Sequence, residues 1–346
     1  MTLVVIDADV LGRQRTGDET YVENLLRALA GPAAASGLRL AAVTRRPDLV
    51  PDGVDPLALG ARSQELRMAW SLPQLLRRVR PALAHFVHAL PLAPLCPAIV
   101  TIQDLSFERE PWVMGPKDRL VFRASVRRAA RKARCVLAIS ERTRRDVIEL
   151  YRVPADRVVV TPLGVDAAFR PGGERDSYVL FVGAIQPRKD PLAAVDAATA
   201  LGLRLVVAGP AKDPALAADL ERRGADMRGY VSQQELAELY RRAACLVLPS
   251  RYEGFGLPVL EAMASGTPVV ASPDPAVREV AGDAAVYSEP DRLAEGIRRA
   301  LTDRDRLSRA GLERARAFAW EETARRTLAV YHAVLAEGER PGGAPK

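Results

Sequence analysis

Short, continuous apolar runs rich in Val, Ile and Leu recur along the chain, and segments with helical periodicity separate them. Strands of a parallel sheet are covered by helices on both faces, so they are unbroken apolar runs rather than alternating ones. The pattern therefore predicts repeated βα units and an α/β fold. The predicted strands are residues 2–8, 38–44, 82–87, 98–102, 134–139, 157–161, 178–183, 203–208, 245–249, 267–271 and 284–287.

Helical spacing between these runs agrees with this fold class. Within 19–30, for example, Val22, Leu25, Leu26 and Leu29 follow the i, i+3, i+4, i+7 pattern of one buried helix face. Amphipathic helices are also predicted at about 64–79, 117–132, 141–151, 190–201, 214–223, 232–243, 257–265, 291–302 and 305–337, the last with a break near Phe318–Trp320. The tail 338–346 is predicted to be disordered.

The two series of strands predict two Rossmann-like, doubly wound domains, because a chain of 346 residues is too long for one core. Residues 164–177 are rich in Gly, Pro and charged residues and mark the boundary. We place the first domain at 1–168 and the second at 169–322, with a final segment at 323–346.

Composition excludes several classes of protein. With 48% hydrophobic and 27% charged residues, the chain has ample apolar material for a folded core. Its three cysteines and three histidines show neither a disulfide framework nor zinc-ligand spacing. No uncharged apolar run is long enough for a membrane helix, and the N-terminus lacks the basic region of a signal peptide. We expect a cytoplasmic location.

The net charge of +7 belongs entirely to the first half of the chain. Residues 1–168 contain 25 basic and 18 acidic residues, whereas 169–346 contain 25 of each. The excess favours an anionic partner for the first half, although an arginine-rich genome would explain it equally well.

The segment 245–272, CLVLPSRYEGFGLPVLEAMASGTPVVAS, is the most informative one. A buried strand is followed by a loop with Gly254 and Gly256, then by Pro258 at the expected first helical position and Gly266 at the helix end. A glycine-rich loop that leads into a helix N-terminus at the carboxyl end of a parallel strand is an anion site.

Two glutamates flank this loop, Glu253 within it and Glu261 about one turn into the helix. In one interpretation both carboxylates point into one crevice, one towards a sugar and one towards a ribose. In the other, Glu253 only caps the helix and Glu261 is solvated. Arg188 and Lys189 follow another buried strand and could neutralise a diphosphate, although an Arg–Lys pair by itself is more often a solvated turn.

Other nucleotide motifs are missing. There is no Walker A sequence, and the first strand–helix turn, DADVLGRQRTGDET, has no G-x-G-x-x-G fingerprint, which disfavours phosphoryl transfer through a P-loop and a dehydrogenase. Gly17 in this turn either starts a helix or allows backbone to approach a phosphate. The Asp7–Ala8–Asp9 triplet is predicted to be structural, within the first strand.

The string EGFGLPVLEAMASGTPVVAS (253–272) resembles the E-x7-E motif of family-4-type retaining glycosyltransferases, in particular a mannosyltransferase-like subgroup. The resemblance covers nearly the whole chain and is better in the second half. It implies the GT-B fold, in which two Rossmann-like domains face a central cleft and the C-terminal helix crosses back to the first domain. Further matching strings occur in order at 160–166, 181–190, 206–210, 228–240 and 247–256.

The resemblance also implies roles for individual residues. Glu261 would hold the ribose hydroxyls, Glu253 would contact the donor sugar, and Arg188 and Lys189 would bind the diphosphate. No metal or other cofactor would be needed, because cations and a helix terminus supply the charge. The remaining candidates are Asp104 as a further catalytic residue, Gly254, Phe255, Gly256 and Leu257 near the sugar, Gly17 near the phosphates, and Tyr230 and Val231 near the base.

Three positions depart from the family pattern. Gln103–Asp104 replaces a frequent His-Asp pair, Gly17 is followed by two acids rather than by a Gly-Arg string, and Ala184 stands where an arginine is common. The first change removes an imidazole near the reacting sugar. The last leaves Lys189, with Arg188, as the main diphosphate cations.

The predicted helix 117–132 is strongly basic, with Arg119, Arg123 and Arg127 at i, i+4 spacing. It is either a solvated arginine-rich face or a peripheral contact with an anionic membrane or lipid-linked acceptor. Aromatic residues make up only 5% of the chain, which argues against nucleic acid as a partner. His85 and His88, at a predicted strand end, are either acceptor contacts or structural.

The main hypothesis is therefore transfer of a hexose from a nucleotide-diphosphate sugar to an acceptor hydroxyl in glycan or glycolipid synthesis. The donor would bind the second domain and a glycan, lipid-linked or small-molecule acceptor the first. GDP-mannose is favoured on the resemblance alone, and a UDP-hexose is the alternative. A sugar-nucleotide epimerase of the same architecture and a non-catalytic nucleotide-sugar-binding subunit remain as competing hypotheses.

Overall fold

Each predicted series of strands forms one parallel sheet in the computed structural model, which describes residues 1–14, 16–61, 63–92 and 95–338. The chain divides into two units. Unit 1 contains the residues up to Leu105, Gly115–Gly164 and the stretch from Trp320, and unit 2 contains Ser106–Met114 and Val165–Ala319. Two parallel α/β sheets confirm the predicted fold class.

Unit 1 has seven parallel strands among its described residues, in the order β3-β2-β1-β4-β5-β6-β7. The strands are β1 (Thr2–Asp7), β2 (Leu38–Thr44), β3 (Asp55–Ala58), β4 (Leu83–Val87), β5 (Ala98–Ile102), β6 (Cys135–Ala138) and β7 (Val158–Val160). Its helices are α1 (Thr16–Ala35), α2 (Gln64–Leu66), α3 (Leu72–Val79), α5 (Pro116–Lys132), α6 (Glu141–Tyr151) and α14 (Trp320–Gly338), with a π-helical turn at Arg67–Ser71.

Unit 2 has six parallel strands among its described residues, in the order β10-β9-β8-β11-β12-β13. They are β8 (Tyr178–Val182), β9 (Arg204–Ala208), β10 (Asp226–Gly229), β11 (Cys245–Leu248), β12 (Val269–Ala271) and β13 (Ala285–Tyr287). The helices are α4 (Ser106–Arg109), α7 (Pro191–Thr199), α8 (Pro214–Arg222), α9 (Gln233–Arg242), α10 (Leu257–Ala264), α11 (Pro275–Ala281), α12 (Leu293–Thr302) and α13 (Arg304–Ala315).

The sequence pattern missed the edge strands β3 and β10. Each closes one end of its sheet, and most of the residues in both are exposed or only partly buried. An edge strand with little buried surface needs no apolar run, so the signal that identified the central strands is absent there. The short helices α4 and α11 were missed as well.

The C-terminal region breaks where the sequence predicted. Helix α13 ends at Ala315, α14 begins at Trp320, and α14 packs against α1 within unit 1. The predicted domains put residues 106–114 in the first domain, whereas the structure assigns Ser106–Met114 to unit 2. The predicted disordered tail lies, from residue 339 on, outside the described residues.

A buried arginine accounts for the acidic triplet of the first strand. Arg67 is fully buried, its Nη1 donates to Asp7 Oδ2 at 3.0 Å, and its Nε lies 3.4 Å from Asp9 Oδ1. Asp7 is the last residue of β1 and Asp9 lies beyond it, so the triplet straddles the strand end rather than lying inside the strand. Its carboxylates compensate a buried cation, which is a structural role.

His85 lies inside β4 rather than at its end, so it is not a loop residue. Its Nδ1 and the hydroxyl of Tyr331 on α14 are 2.7 Å apart, and its Nε2 is 2.7 Å from Thr101 Oγ1 on β5. Complete burial lowers the pKa of His85 to about 3, so the ring is neutral. The side chain of His85 therefore joins α14 to the sheet, and the alternative prediction that His85 contacts the acceptor is wrong.

Gly209 allows the turn after β9 to approach the turn after β8. A Cβ at position 209, where φ is +144°, would lie 2.6 Å from the carbonyl carbon of Gly183. Only glycine fits so close to another backbone. The close approach therefore lies at the start of the segment that leads from Gly183 to Arg188 and Lys189.

We expect Gly209→Ala to lower the free energy of unfolding by about 1–3 kcal/mol, because the methyl group overlaps backbone that must move. Urea denaturation measures this. Gly31→Ala is the matched control, since position 31 is helical and has open space around it. Equal unfolding midpoints for Gly209→Ala and the wild type would contradict the proposed close approach.

Candidate functional site

The strand order of unit 2 reverses between β8 and β11. Ligands of open parallel sheets bind outside the carboxyl ends of the strands at such a switch point, because neighbouring loops diverge there and leave a crevice. The loop after β8 carries Arg188 and Lys189, and the loop after β11 carries Glu253. Topology therefore brings the adjacent Arg188 and Lys189 to the same edge of the sheet as Glu253, which lies 64 residues after Lys189 in sequence.

Lys189 and Glu253 form a buried ion pair at this edge. Lys189 Nζ lies 2.5 Å from Glu253 Oε1, and both residues are more than nine-tenths buried. Burial alone would raise the pKa of Glu253, but the charges of Lys189 and Arg188 and the hydrogen bond from Lys189 hold it below its usual range. The carboxylate is thus ionised, and the expectation that Glu253 is only a helix cap is wrong.

Arg188 is buried beside this pair. The turn Pro187–Lys189 is a single 3₁₀ turn, and one Nη of Arg188 donates to the carbonyl of Tyr252, while the amide of Arg251 donates to the carbonyl of Arg188 at 2.9 Å. The Arg–Lys pair is therefore not a solvated turn. Its bonds to the loop after β11 fix the two loops to each other.

The glycine-rich loop leads into α10 as predicted. Gly256 precedes the helix with φ +103°, Leu257 is the first helical residue and Pro258 the second, one position later than predicted. Gly266, with φ +70°, follows the end of the helix as expected. The backbone from Gly254 and Phe255 to Leu257 thus arrives at a helix N-terminus, where partial positive charge favours an anion.

Asp274 supports this loop and was not singled out from the sequence. Its Oδ2 accepts the amide of Glu253 at 3.2 Å, and its Oδ1 accepts the amide of Ala276 at the start of α11 at 2.8 Å. One carboxylate therefore caps α11 and orients the backbone of Glu253. The Asp-Pro pair that begins α11 was the available signal, since Asp is a preferred N-cap and Pro suits the first helical turn.

Glu261 is buried on α10 rather than solvated. Its Oε2 accepts a hydrogen bond from the hydroxyl of Tyr240 on α9 at 2.8 Å. Burial raises the pKa of Glu261 to about 8, although the bond from Tyr240 acts in the opposite direction. Near neutral pH the group is mostly a neutral acid, and a ligand hydroxyl or cation would favour its ionisation.

Glu261 makes stability depend on pH. Its folded-state pKa of about 8 lies above the ordinary value of 4.5, so its contribution to folding is full below pH 4.5 and is lost as the pH rises through 8. We expect Glu261→Gln, which stays neutral, to gain stability relative to the wild type over this window. Chemical denaturation at several pH values from 5 to 9 measures the difference.

Tyr240→Phe is the companion variant. It removes the hydrogen bond that lowers the pKa of Glu261, so the loss of stability should extend to higher pH. If the stability curves of wild type and Glu261→Gln run parallel from pH 5 to 9, the raised pKa is refuted.

In unit 1, Gly17 and Asp104 lie at the carboxyl edge of the sheet. Gly17 is the second residue of α1, and a Cβ at this position would lie 3.6 Å from Gln103 Oε1. Gln103 is more than nine-tenths buried, and its Nε2 has no hydrogen-bond partner among the described residues. Asp104, partly buried, follows it at the end of β5.

His88 and the two acids after Gly17 are also placed here. His88 Nε2 is 3.3 Å from Asp18 Oδ1, and Glu19 accepts the amide of Gly12 at 2.6 Å. Burial opposes protonation of His88, but the bond to Asp18 and the charge of Asp104 raise its pKa. Both acids are therefore engaged within unit 1.

Tyr230 and Val231 follow the edge strand β10, two strands from β8, and the side chain of Tyr230 is half-exposed. Their contact with a base stays a prediction. The structure describes no group of three or more His, Cys, Asp or Glu side chains, within 1–14, 16–61, 63–92 and 95–338, that could hold a metal ion.

The basic helix is α5, and its exposed face is both cationic and apolar. Leu120 and Val121 are 67% and 65% exposed. An open groove of about 650 Å³ on this helix is lined by Leu120, Arg123, Ala124, Arg127, Arg128 and Arg131. None of the helices in the described part of the chain is long and apolar enough to span a bilayer. Contact of α5 with a membrane surface stays a prediction.

Comparison with known proteins decides the family. Residues 15–169 match the profile described as Glycosyltransferase Family 4, and residues 168–317 match Glycosyl transferases group 1. The O-antigen chain mannosyltransferase B of Escherichia coli is 32% identical over an alignment of 266 positions, and the match covers 68% of this chain and 70% of that protein. This chain belongs to the family 4 glycosyltransferases. It is therefore a hexosyltransferase, which confirms the resemblance seen in its motifs.

Other proteins are similar to this glycosyltransferase in part of their sequence or in their fold. A D-inositol 3-phosphate glycosyltransferase of Frankia alni is 36% identical over 241 residues, and the match spans 58% of this chain and 59% of that protein. Sucrose-phosphate synthase of Thermosynechococcus elongatus is 20% identical with a TM-score of 0.78, covering 97% of this chain and 100% of that one. Anabaena HepE, solved with UDP and glucose, is 14% identical with a TM-score of 0.71, covering 96% and 100%. These two structures establish the GT-B fold.

Proposed function

We propose that this glycosyltransferase moves a hexose, with retention of configuration, from a nucleotide-diphosphate sugar to an acceptor hydroxyl. The observation that carries the proposal is the buried cluster of Arg188, Lys189 and Glu253 at the switch point of unit 2. Two cations and an anion concentrated there match a leaving diphosphate and a hydroxyl-rich sugar.

The cations have a defined task in this reaction. As the bond between the sugar C1 and the diphosphate oxygen breaks, negative charge develops on the diphosphate, and Lys189 and Arg188 would stabilise it from fixed positions. The N-terminus of α10 would add its partial positive charge. A metal ion is not required in this scheme, because protein groups already supply the positive charge.

Glu253 would accept hydrogen bonds from hydroxyls of the donor sugar, while its amide is held by Asp274. Glu261, on the same helix–loop unit, would accept from the ribose hydroxyls. The acceptor hydroxyl would bond to C1 on the face that the diphosphate leaves, and its proton would pass to a diphosphate oxygen. No protein nucleophile takes part, and Asp104 stays a candidate for a further contact.

The donor is GDP-mannose in our preferred assignment. Support for mannose comes from the name of the O-antigen chain mannosyltransferase B of Escherichia coli, of which the match covers 70%, whereas the choice of GDP rests on the motif resemblance alone. The fold neighbour HepE was solved with UDP-glucose, and this keeps a UDP-hexose as the alternative. The acceptor would be a glycan, a lipid-linked sugar or a small molecule. The epimerase hypothesis is disfavoured, because the relatives of this chain are named as transferases.

Lys189→Ala and Glu253→Ala should each lower turnover strongly, by about 2–4 kcal/mol in transition-state free energy, or ~30- to ~1,000-fold. Turnover with GDP-mannose and UDP-glucose is measured alongside circular dichroism, which reports whether each variant is folded. Lys212→Ala, at an exposed lysine of unit 2, is the matched control. Wild-type turnover in folded Lys189→Ala and Glu253→Ala would contradict the proposal.

A thermal-shift panel of GDP-, UDP-, ADP- and TDP-sugars identifies the donor. A ligand at 100 times its dissociation constant adds about 2.7 kcal/mol to the free energy of unfolding. We expect the largest shift with GDP-mannose and a much smaller one in Lys189→Ala. A panel without any shift would contradict nucleotide-sugar binding, and binding without turnover on any acceptor would favour a non-catalytic subunit.

A further inference from the structure

Trp112 is a large aromatic side chain that unit 2 leaves half-exposed. It lies in the 3₁₀ turn Pro111–Val113, and 47% of its surface is accessible. Trp320, by contrast, is buried in unit 1. Isolated exposed apolar residues are common on protein surfaces, so exposure alone assigns no role to Trp112.

The neighbours of Trp112 distinguish it. The guanidinium carbon of Arg251 lies 5.6 Å from the centroid of its ring, a cation–π geometry that fixes one side of the indole. Arg251 Nη2 also lies 3.8 Å from Asp190 Oδ2. The indole is therefore held in place by a charged side chain rather than by a hydrophobic core.

Arg251 connects the indole to the transfer site. It lies two residues before Glu253 in the loop after β11, and its amide donates to the carbonyl of Arg188 at 2.9 Å. Its neighbour in the ion pair, Asp190, follows Lys189 directly. Trp112 thus contacts the loop after β11 directly, and Arg251 links it to the loop after β8.

We propose that the exposed surface of Trp112 is a platform on which a pyranose ring of the acceptor stacks. A pyranose has an apolar face of C–H groups and a rim of hydroxyls. An indole can cover the apolar face, while its fixed orientation limits the entropy lost on binding. Arg251, whose side chain is 56% exposed, would donate hydrogen bonds to hydroxyls at the rim.

This assignment specifies the acceptor class. It rests on the proposed transfer reaction and favours an acceptor that ends in a sugar ring over one without a ring. It also explains why the chain sends Ser106–Met114 from the carboxyl end of β5 into unit 2, where the donor residues lie.

Binding of α-1,3-mannobiose and of maltose to the full-length chain, by ligand-observed NMR titration, tests the platform. We expect one of these disaccharides to bind the wild type and Trp112→Ala to raise its dissociation constant about tenfold, through lost burial of C–H groups. Trp112→Phe should keep most of the affinity. Trp70→Ala is the matched control, since Trp70 is 64% exposed in unit 1.

The outcomes separate this proposal from the transfer reaction. Disaccharide binding needs no donor, so binding that is weakened in Trp112→Ala and unchanged in Lys212→Ala, at an exposed lysine of unit 2, supports the platform even if no donor is found. Wild-type affinity in folded Trp112→Ala, an equal loss in Trp70→Ala, or failure of both disaccharides to bind the wild type would each overturn it. With a donor in hand, Trp112→Ala should raise the acceptor KM and leave the donor KM unchanged.

Discussion

Parallel pairing of β8 with β11 is the constraint on which the candidate site depends. Because parallel strands end at the same edge, the loops that follow β8 and β11 meet there, although 64 residues separate Lys189 from Glu253. The ion pair between these residues and the bond from Arg188 to Tyr252 then hold the loops together. A buried carboxylate without these cations would lose its charge, since burial alone raises its pKa.

The two buried glutamates of α10 and its preceding loop have opposite electrostatic environments. Glu253 is ionised because two cations face it, whereas Glu261 is held by a neutral hydroxyl and has a pKa near 8. Groups with such different pKa values only eight residues apart are typical of sites that bind polar ligands rather than of structural cores. The arrangement suits a ligand with an anionic diphosphate at one end and neutral hydroxyls at the other.

Unit 1 also contains buried polar groups, and most of them are satisfied structurally. Arg67 is compensated by Asp7 and Asp9, and His85 is hydrogen-bonded to Thr101 and Tyr331. The buried amide nitrogen of Gln103, like Arg67 Nε and His88 Nδ1, has no hydrogen-bond partner among the described residues, and the amide oxygen of Gln103 lies next to Gly17. A buried donor without a partner costs stability, so a ligand that accepts from it would recover that cost.

The sequence by itself determined the α/β class, the central strands, the break before Trp320 and the glycine-rich loop before α10. These features are local, because apolar runs, helical spacing and turn residues act over a few positions. It also singled out Arg188, Lys189, Glu253 and Glu261, through residue type and resemblance. Only the tertiary structure decided that these four are buried, that Asp274 holds Glu253, that His85 is structural and that Trp112 belongs to unit 2. Burial, pKa and partnership depend on residues far apart in the chain, and no local pattern records which of them the sheet brings together.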